Sequence, residues 1–267
     1  MPVVMSSPEF VPCDLAHLPR PGSAEQRELI ADEEQIAGDA YLDTIKSIDA
    51  AAEAVFPEVA RHVDAALTLA GRREGLRVLD LGCGIALEMH AILKHSLAIK
   101  HLTLSDYSAK TLEIAARLMR DCPDRAKVEE VELVPLDLLA EPLVARLTGG
   151  YDLVVTCNAF MHFPEQDHVR LFSEIAAQLS DGGVFVFQSH FKTLEPDWKQ
   201  SIISTMQRRM AAEGAPAPLI AQAGRHIDRF HQFHDYYRVY NWLEQAGFRY
   251  FDAVFRQRFL GIFVAFK

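Results

Sequence analysis

A chain of 267 residues, 49% apolar and 24% charged, is long enough to bury one sizeable core. Its 27 lysines and arginines stand against 37 aspartates and glutamates, and the resulting net charge of −10 argues against a partner such as bulk nucleic acid, which needs a basic stripe. No apolar run reaches the roughly 18 residues of a membrane span, and Met1-Pro2-Val3-Val4-Met5-Ser6 lacks the charged start and apolar centre of a signal peptide. Cys13, Cys83, Cys122 and Cys157 are scattered without a C-x-x-C pair, which suits reduced thiols and a cytoplasmic location.

Residues 1–24 carry Pro2, Pro8, Pro12, Pro19 and Pro21 and read as an irregular arm. Apolar residues then recur at spacings of three and four, first over Leu29, Ile30, Ile36, Tyr41, Leu42, Ile45 and Ile48. They recur again over Val55, Val59, Val63, Ala66, Leu67 and Leu69. Two amphipathic helices are expected, the second packed plainly against a core.

Val78, Leu79 and Leu81 form the short apolar run of a buried parallel strand, and the run breaks into Gly82-Cys83-Gly84 before helix-forming residues 87–94. Strand, glycine turn and helix form the unit that brings bare backbone up to a ligand, and Asp80 lies at the strand's carboxyl end, where open sheets bind ligands. A second strand-like run, Leu102-Thr103-Leu104-Ser105, ends in Asp106, 22 residues after Gly84. A carboxylate there can accept from a ribose. The dinucleotide fingerprint would want a glycine where Leu87 stands, so NAD is disfavoured.

Residues 109–119 predict a helix capped by Ser108. The run 131–136 predicts a third strand, whose Pro135 marks an exposed edge and which ends at Asp137. Residues 151–157 are a buried fourth strand opening into Asn158-Ala159-Phe160-Met161-His162-Phe163-Pro164, followed by a helix over 165–179. Gly182-Gly183 leads into a fifth strand over 184–188, which ends in Ser189-His190. A helix over 197–212, a breaker at Gly214-Ala215-Pro216-Ala217-Pro218 and a segment rich in histidine and aromatic residues follow. Residues 248–256 and 259–266 close the chain as a hairpin.

Asp80-Leu81-Gly82-Cys83-Gly84, Asp106-Tyr107-Ser108, Leu136-Asp137-Leu138, Tyr151-Asp152-Leu153-Val154-Val155 and Leu179-Ser180-Asp181-Gly182-Gly183 stand in the order and spacing of one known family. Over roughly residues 76–188 the chain resembles the class I S-adenosylmethionine-dependent methyltransferases, and it does so more loosely around Gln245-Ala246-Gly247-Phe248. It departs from them at Ala86, where the family usually has a third glycine. The resemblance implies an α/β, Rossmann-like fold: a seven-stranded, mostly parallel sheet with helices on both faces, an N-terminal helical segment and a helical lid after the fifth strand. It divides the chain into an arm and helices covering the site (1–70), an S-adenosylmethionine-binding core (71–190), a cap (191–235), and a last helix and hairpin (236–267).

It also implies the cofactor-binding residues: Asp80, Gly82, Cys83, Gly84, Asp106 and Tyr107, then Asp137 and Leu138 against the adenine, and Asn158 and Ala159 in the segment facing the methyl group. Local chemistry gives Asp137 a second reading as a helix cap.

Transfer from a sulfonium is an in-line displacement, for which the protein brings the groups together and removes a proton where needed. His162 and His190 leave adjacent strands at the ligand edge and are the candidate catalytic bases, and His162 alternatively hydrogen-bonds near the adenine. Tyr41, His231, His234 and Tyr237 are candidate substrate contacts, with Tyr41 and Asp43 as lid residues. His231, with His226 and His234, could suggest a metal site, since an i,i+3 spacing places two rings on one helix face, but no cysteine or carboxylate stands beside them at ligand spacing, so no metal is expected. The expected function is methyl transfer to oxygen, nitrogen or carbon of a small molecule, natural-product biosynthesis included. The alternatives are a macromolecular acceptor (tRNA or protein) and a non-catalytic binding protein. A small-molecule substrate, no nucleic acid, no membrane and a monomer or homodimer complete the reading.

Overall fold

The structure, a computed structural model, describes residues 10–11, 55–95, 97–193 and 198–267. Its strands in chain order are β1 (Phe10–Val11), β2 (Leu76–Leu81), β3 (Ile99–Asp106), β4 (Val128–Pro135), β5 (Tyr151–Cys157), β6 (Leu179–His190), β7 (Tyr250–Gln257) and β8 (Leu260–Phe266). The helices described are α1 (Val55–Leu69), α2 (Leu87–Ile92), α3 (Ala109–Arg120), α4 (His168–Gln178), α5 (Trp198–Ala212), α6 (Ala217–Phe230) and α7 (Tyr236–Gln245).

One sheet in the order β1-β4-β3-β2-β5-β6-β8-β7 runs through the molecule. Strands β2 to β6 are parallel, and β8 lies antiparallel between β6 and β7. Seven of these strands form the mostly parallel sheet expected from the sequence. The eighth, β1, comes from the arm read as irregular and pairs in parallel with β4 at Val131 and Glu132. Pro135, the edge signal, falls on the last residue of β4, where a missing N–H interrupts no further ladder.

Alternation along β2 shows why a continuous apolar run was the right signal. Val78 joins the cluster formed with Val59, Val63 and Leu67 of α1 and Met89 and Ile92 of α2. Leu79 and Leu81 join the opposite cluster, with Phe172 and Ile175 of α4, Leu243 of α7, and Phe185 and Phe187 of β6. Both faces are covered, so Val78, Leu79 and Leu81 are apolar although they point to opposite sides. Helix α1 packs against α2 and β6, as expected for the second amphipathic segment. The first, with Tyr41 and Asp43, lies outside the described residues.

Two boundaries differ from the sequence reading. Helix α4 begins at His168, after a 310 turn over Glu165–Asp167 that follows Pro164. Strand β6 begins at Leu179, directly after α4, and runs through the glycine pair. A Cβ on Gly183 would stand 2.8 Å from the Ser180 carbonyl oxygen and 3.0 Å from that of Tyr151, so glycine lets the strand lie flush against β5 as it enters the sheet. Because β2 to β6 are parallel, Leu81, Asp106, Pro135, Cys157 and His190 all finish on one edge. Helices α5 and α6 follow β6, as expected.

Candidate active site

The turn between β2 and α2 holds three consecutive left-handed positions two residues apart: Gly82 (φ 68°), Gly84 (φ 51°) and Ala86 (φ 59°). The Cys83 N–H donates to the Ser105 carbonyl (2.9 Å) and ties the turn to β3, while the Ala86 N–H donates to the Cys83 carbonyl (2.7 Å). A Cβ on Gly82 would stand 2.8 Å from the Cβ of Ala159, so only glycine lets this turn meet the loop after β5. Ala86 holds a conformation that costs an alanine about 1–2 kcal/mol. Ala86→Gly is therefore expected to raise the unfolding free energy, and with it the urea midpoint, by about 0.5–1 kcal/mol of stability, the strain relief being partly offset by unfolded-chain entropy. A lower midpoint would mean that the fully buried methyl contributes more through packing than its backbone costs.

Three acids lie buried beneath this turn: Asp80 (0% exposed), Glu88 (3%) and Asp106 (7%). Asp106 is held in place, its Oδ2 accepting from the Gly84 N–H (2.9 Å) and its Oδ1 from the Ser108 N–H (2.9 Å). Burial still pushes its pKa up to about 6. Neither carboxylate oxygen of Asp80 meets a donor among the described residues. Burial, and then the nearby Glu88 and Asp106 charges, push its pKa well above the usual carboxylate range. A buried carboxylate without a donor is costly and fits a site that receives a cation. Burial likewise pushes the Cys83 thiol up, which leaves it unreactive at neutral pH.

The other cofactor candidates share this edge. Asp137 Oδ1 accepts from the N–H groups of Leu139 (2.9 Å) and Ala140 (3.3 Å), which closes a turn over 138–140 rather than the helix expected, while Leu138 is buried and its carbonyl accepts from Arg170 (2.9 Å). Ser108 caps α3 by accepting from the Thr111 N–H (3.2 Å), and half-buried Tyr107 precedes it. Asn158 takes a left-handed conformation (φ 56°) and donates its N–H to Oε1 of the fully buried Gln188 (3.1 Å). Ala159 is the residue against Gly82.

His162 closes a 310 turn (Phe160–His162) after β5, and His190 ends β6. His231, one residue past α6, links them: its Nδ1 is 3.2 Å from His190 Nδ1 and its ring centre 4.8 Å from that of His162. His226 of α6 joins the same group. Burial, with the neighbouring imidazoles, pushes His162 and His231 well below the usual histidine range, and burial takes His190 to about 3. These rings are neutral at pH 7 and are weak proton acceptors.

His234 is drawn away from this group into the core, with ring centres 4.5 Å from His168 and 5.4 Å from Trp242. Tyr237 is 86% exposed and faces solvent, outside the group. Tyr41 lies outside the described residues. Glu88 and Gln188 were missed in the sequence. The available signals were an acid in the first turn after the glycine loop and a lone amide ending an apolar strand.

Residues 79–185 match a family model described as a methyltransferase domain. Magnesium protoporphyrin IX methyltransferase of Synechocystis PCC 6803, solved with bound SAH, is similar over 89% of this chain and 99% of its own, at 16% identity and a TM-score of 0.59. The CurJ carbon methyltransferase is similar over 81% of this chain and 55% of its own, at 14% identity and 0.57. An O-methyltransferase family 2 protein of Planctomyces limnophilus DSM 3776, solved with apigenin, is similar over 78% and 61%, at 14% identity and 0.50. At these identities the likenesses establish the fold. No curated protein matches the sequence. The match over residues 79–185 is thus to a methyltransferase domain, and the fold is the Rossmann-like one of these structures. No helix among the described residues is long and apolar enough to cross a membrane.

Proposed function

We propose that this protein transfers the methyl group of S-adenosylmethionine to an oxygen, nitrogen or carbon of a small-molecule acceptor. The observation that carries this reading is the cluster of buried acids under the glycine turn. Asp80 lacks a donor and lies beside Glu88 and Asp106, an environment that favours a ligand bearing positive charge. S-adenosylmethionine carries an ammonium and a sulfonium, whereas the diphosphate of a nicotinamide dinucleotide would meet three acids there.

When bound, the sulfonium supplies an activated methyl group, and the remaining requirement is position. Asp80 takes the ammonium. Asp106, fixed by the Gly84 and Ser108 N–H groups, receives the ribose hydroxyls, and Tyr107 flanks them. Asp137 and Leu138 hold the adenine. Gly82, Cys83 and Gly84 on one side and Asn158 and Ala159 on the other enclose the methionine portion. His162 and His190 stand on the acceptor side as neutral imidazoles, which orient an acceptor by hydrogen bonds. Residues 71–190 thus act as the cofactor-binding core, completed by 236–267, with the insert over 198–235 beside the acceptor. The net charge of −10 supports a small acceptor rather than a polyanion.

Incubation with methyl-labelled S-adenosylmethionine and a metabolite extract should place label in the small-molecule fraction. Label confined to RNA or protein would overturn the acceptor class. Asp106→Ala should weaken cofactor binding by about 1–3 kcal/mol in calorimetry, the usual effect of leaving a buried donor unpaired. Unchanged affinity would remove Asp106 from the ribose role.

A further inference from the structure

We propose that His162, His226 and His231 form a binding site for a divalent d-block cation such as Zn2+, placed where the chain's insert meets the ligand edge of the sheet. Each offers a ring nitrogen, and the three nitrogens lie within 4.8 Å of one another. The rings are also arranged as ligands of one ion. Their centres are 4.8 Å (His162–His231), 5.1 Å (His226–His231) and 5.4 Å (His162–His226) apart. Their planes cross at 84°, 89° and 63°. An imidazole bound at about 2.0–2.1 Å puts its ring centre roughly 3 Å from the ion, so three tetrahedral ligands have centres about 5 Å apart. Rotations that bring the nitrogens to about 3.4 Å from one another complete the site.

The surroundings fit the same assignment. A metal-bound imidazole commonly has its second nitrogen engaged, which fixes the ring. His231 Nδ1 lies 3.2 Å from His190 Nδ1, an orientation that leaves its Nε2 for the ion and makes His190 a positioning residue. His162 shares a hydrogen bond with the Asn158 backbone. Three neutral nitrogen ligands without a thiolate suit zinc or a related ion with one coordination position open. The sequence concealed this because it brings together residues 162 and 226–231, with no ligand pair at short spacing on the first element.

His162 follows β5 and His231 meets His190 at the end of β6, so the site stands at that edge of the sheet. Resting on the methyl-transfer reading, the site would hold the acceptor there through an oxygen, nitrogen or sulfur lone pair and lower the pKa of its proton.

The test uses the full chain and two metals. After chelator treatment and dialysis against Zn2+, elemental analysis should find about one zinc per chain. Co2+ should give the strong visible absorption of a tetrahedral nitrogen site. His226→Ala and His231→Ala should each weaken Zn2+ binding by about 100-fold or more, and His190→Asn by about 10- to 100-fold. His101→Ala, remote on β3, should leave it unchanged. S-adenosylmethionine affinity measured on the same metal-free variants reports whether they are folded. His226→Gln replaces the alanine variant if that one is not. Substoichiometric zinc, or equal affinity in the His226 and His231 variants, overturns the proposal. Stoichiometric zinc without S-adenosylmethionine binding would sink the methyl-transfer reading and leave the metal site standing.

Discussion

Replacing Asp80 with asparagine is expected to stabilise the protein on its own and to cripple its binding of S-adenosylmethionine. Both carboxylate oxygens of Asp80 are fully buried without a donor, and its pKa is raised by burial and by Glu88 and Asp106. In the unfolded chain this acid is ionised at neutral pH, so folding must either bury the charge or discharge it. Asparagine keeps the shape and avoids that cost, a gain of about 1–3 kcal/mol. For a chain of this size that is a rise in thermal midpoint of roughly 2–4 °C per kcal/mol.

Cofactor binding moves the other way. Removing one member of a buried ion pair costs about 3–5 kcal/mol, a loss of roughly a hundred- to a few thousand-fold in affinity. Asp106→Ala makes the contrast, because its oxygens already accept from Gly84 and Ser108, and removing them should destabilise the free protein as well. Scanning fluorimetry and calorimetry on the two variants read these opposite signs. Undiminished cofactor affinity in Asp80→Asn would place the ammonium elsewhere.

The features that the sequence made legible are those set by neighbouring residues. Val78, Leu79 and Leu81 had to be apolar because both faces of β2 are covered, and Gly82 and Gly84 had to be glycines because the turn is left-handed and pressed against Ala159. Ser108 caps α3 over a separation of three residues, a local event. The features that escaped depend on chain segments far apart in sequence. Nothing in Phe10-Val11 states that its backbone will pair with β4. His231 reads as a substrate contact until the fold sets it against His162 and His190, and Tyr237 reads as a pocket wall until α7 turns it to solvent. The lowered basicity of these histidines escaped for the same reason: burial is a property of the assembled structure, and it dominates each shift.

That burial makes the protein acid-sensitive in a defined window. His162, His168, His190, His231 and His234 are all held below their ordinary value, His168 to about 4 and His190 and His234 to about 3, each chiefly by burial. Above pH 6.5 they are neutral in both states and exact no penalty. Below it the unfolded chain binds protons that the native state refuses, so stability falls as pH drops from 6.5 toward the folded values. Asp80 and Asp106 act in the opposite sense, since their raised native values mean that the folded state takes up protons first, Asp106 near pH 6. His62 and His90 are lowered as well and His101 is raised, so the lowered histidines outnumber the groups acting in the opposite sense and unfolding takes up net protons below about pH 6.5. A domain typically has about 5–15 kcal/mol in all, so cooperative acid unfolding is expected between about pH 4 and 5.5. Urea midpoints at pH 7.5, 6.5, 6.0 and 5.5 measure the slope. His168→Phe tests its origin, because His168 stacks on Trp242 with ring centres 4.4 Å apart and an aromatic ring can keep that contact. The substitution should remove about one proton from the uptake and lower the slope by about 1.4 kcal/mol per pH unit. Stability that stays level from pH 7 to 5 would show that these imidazoles are already hydrated or charged in the folded protein.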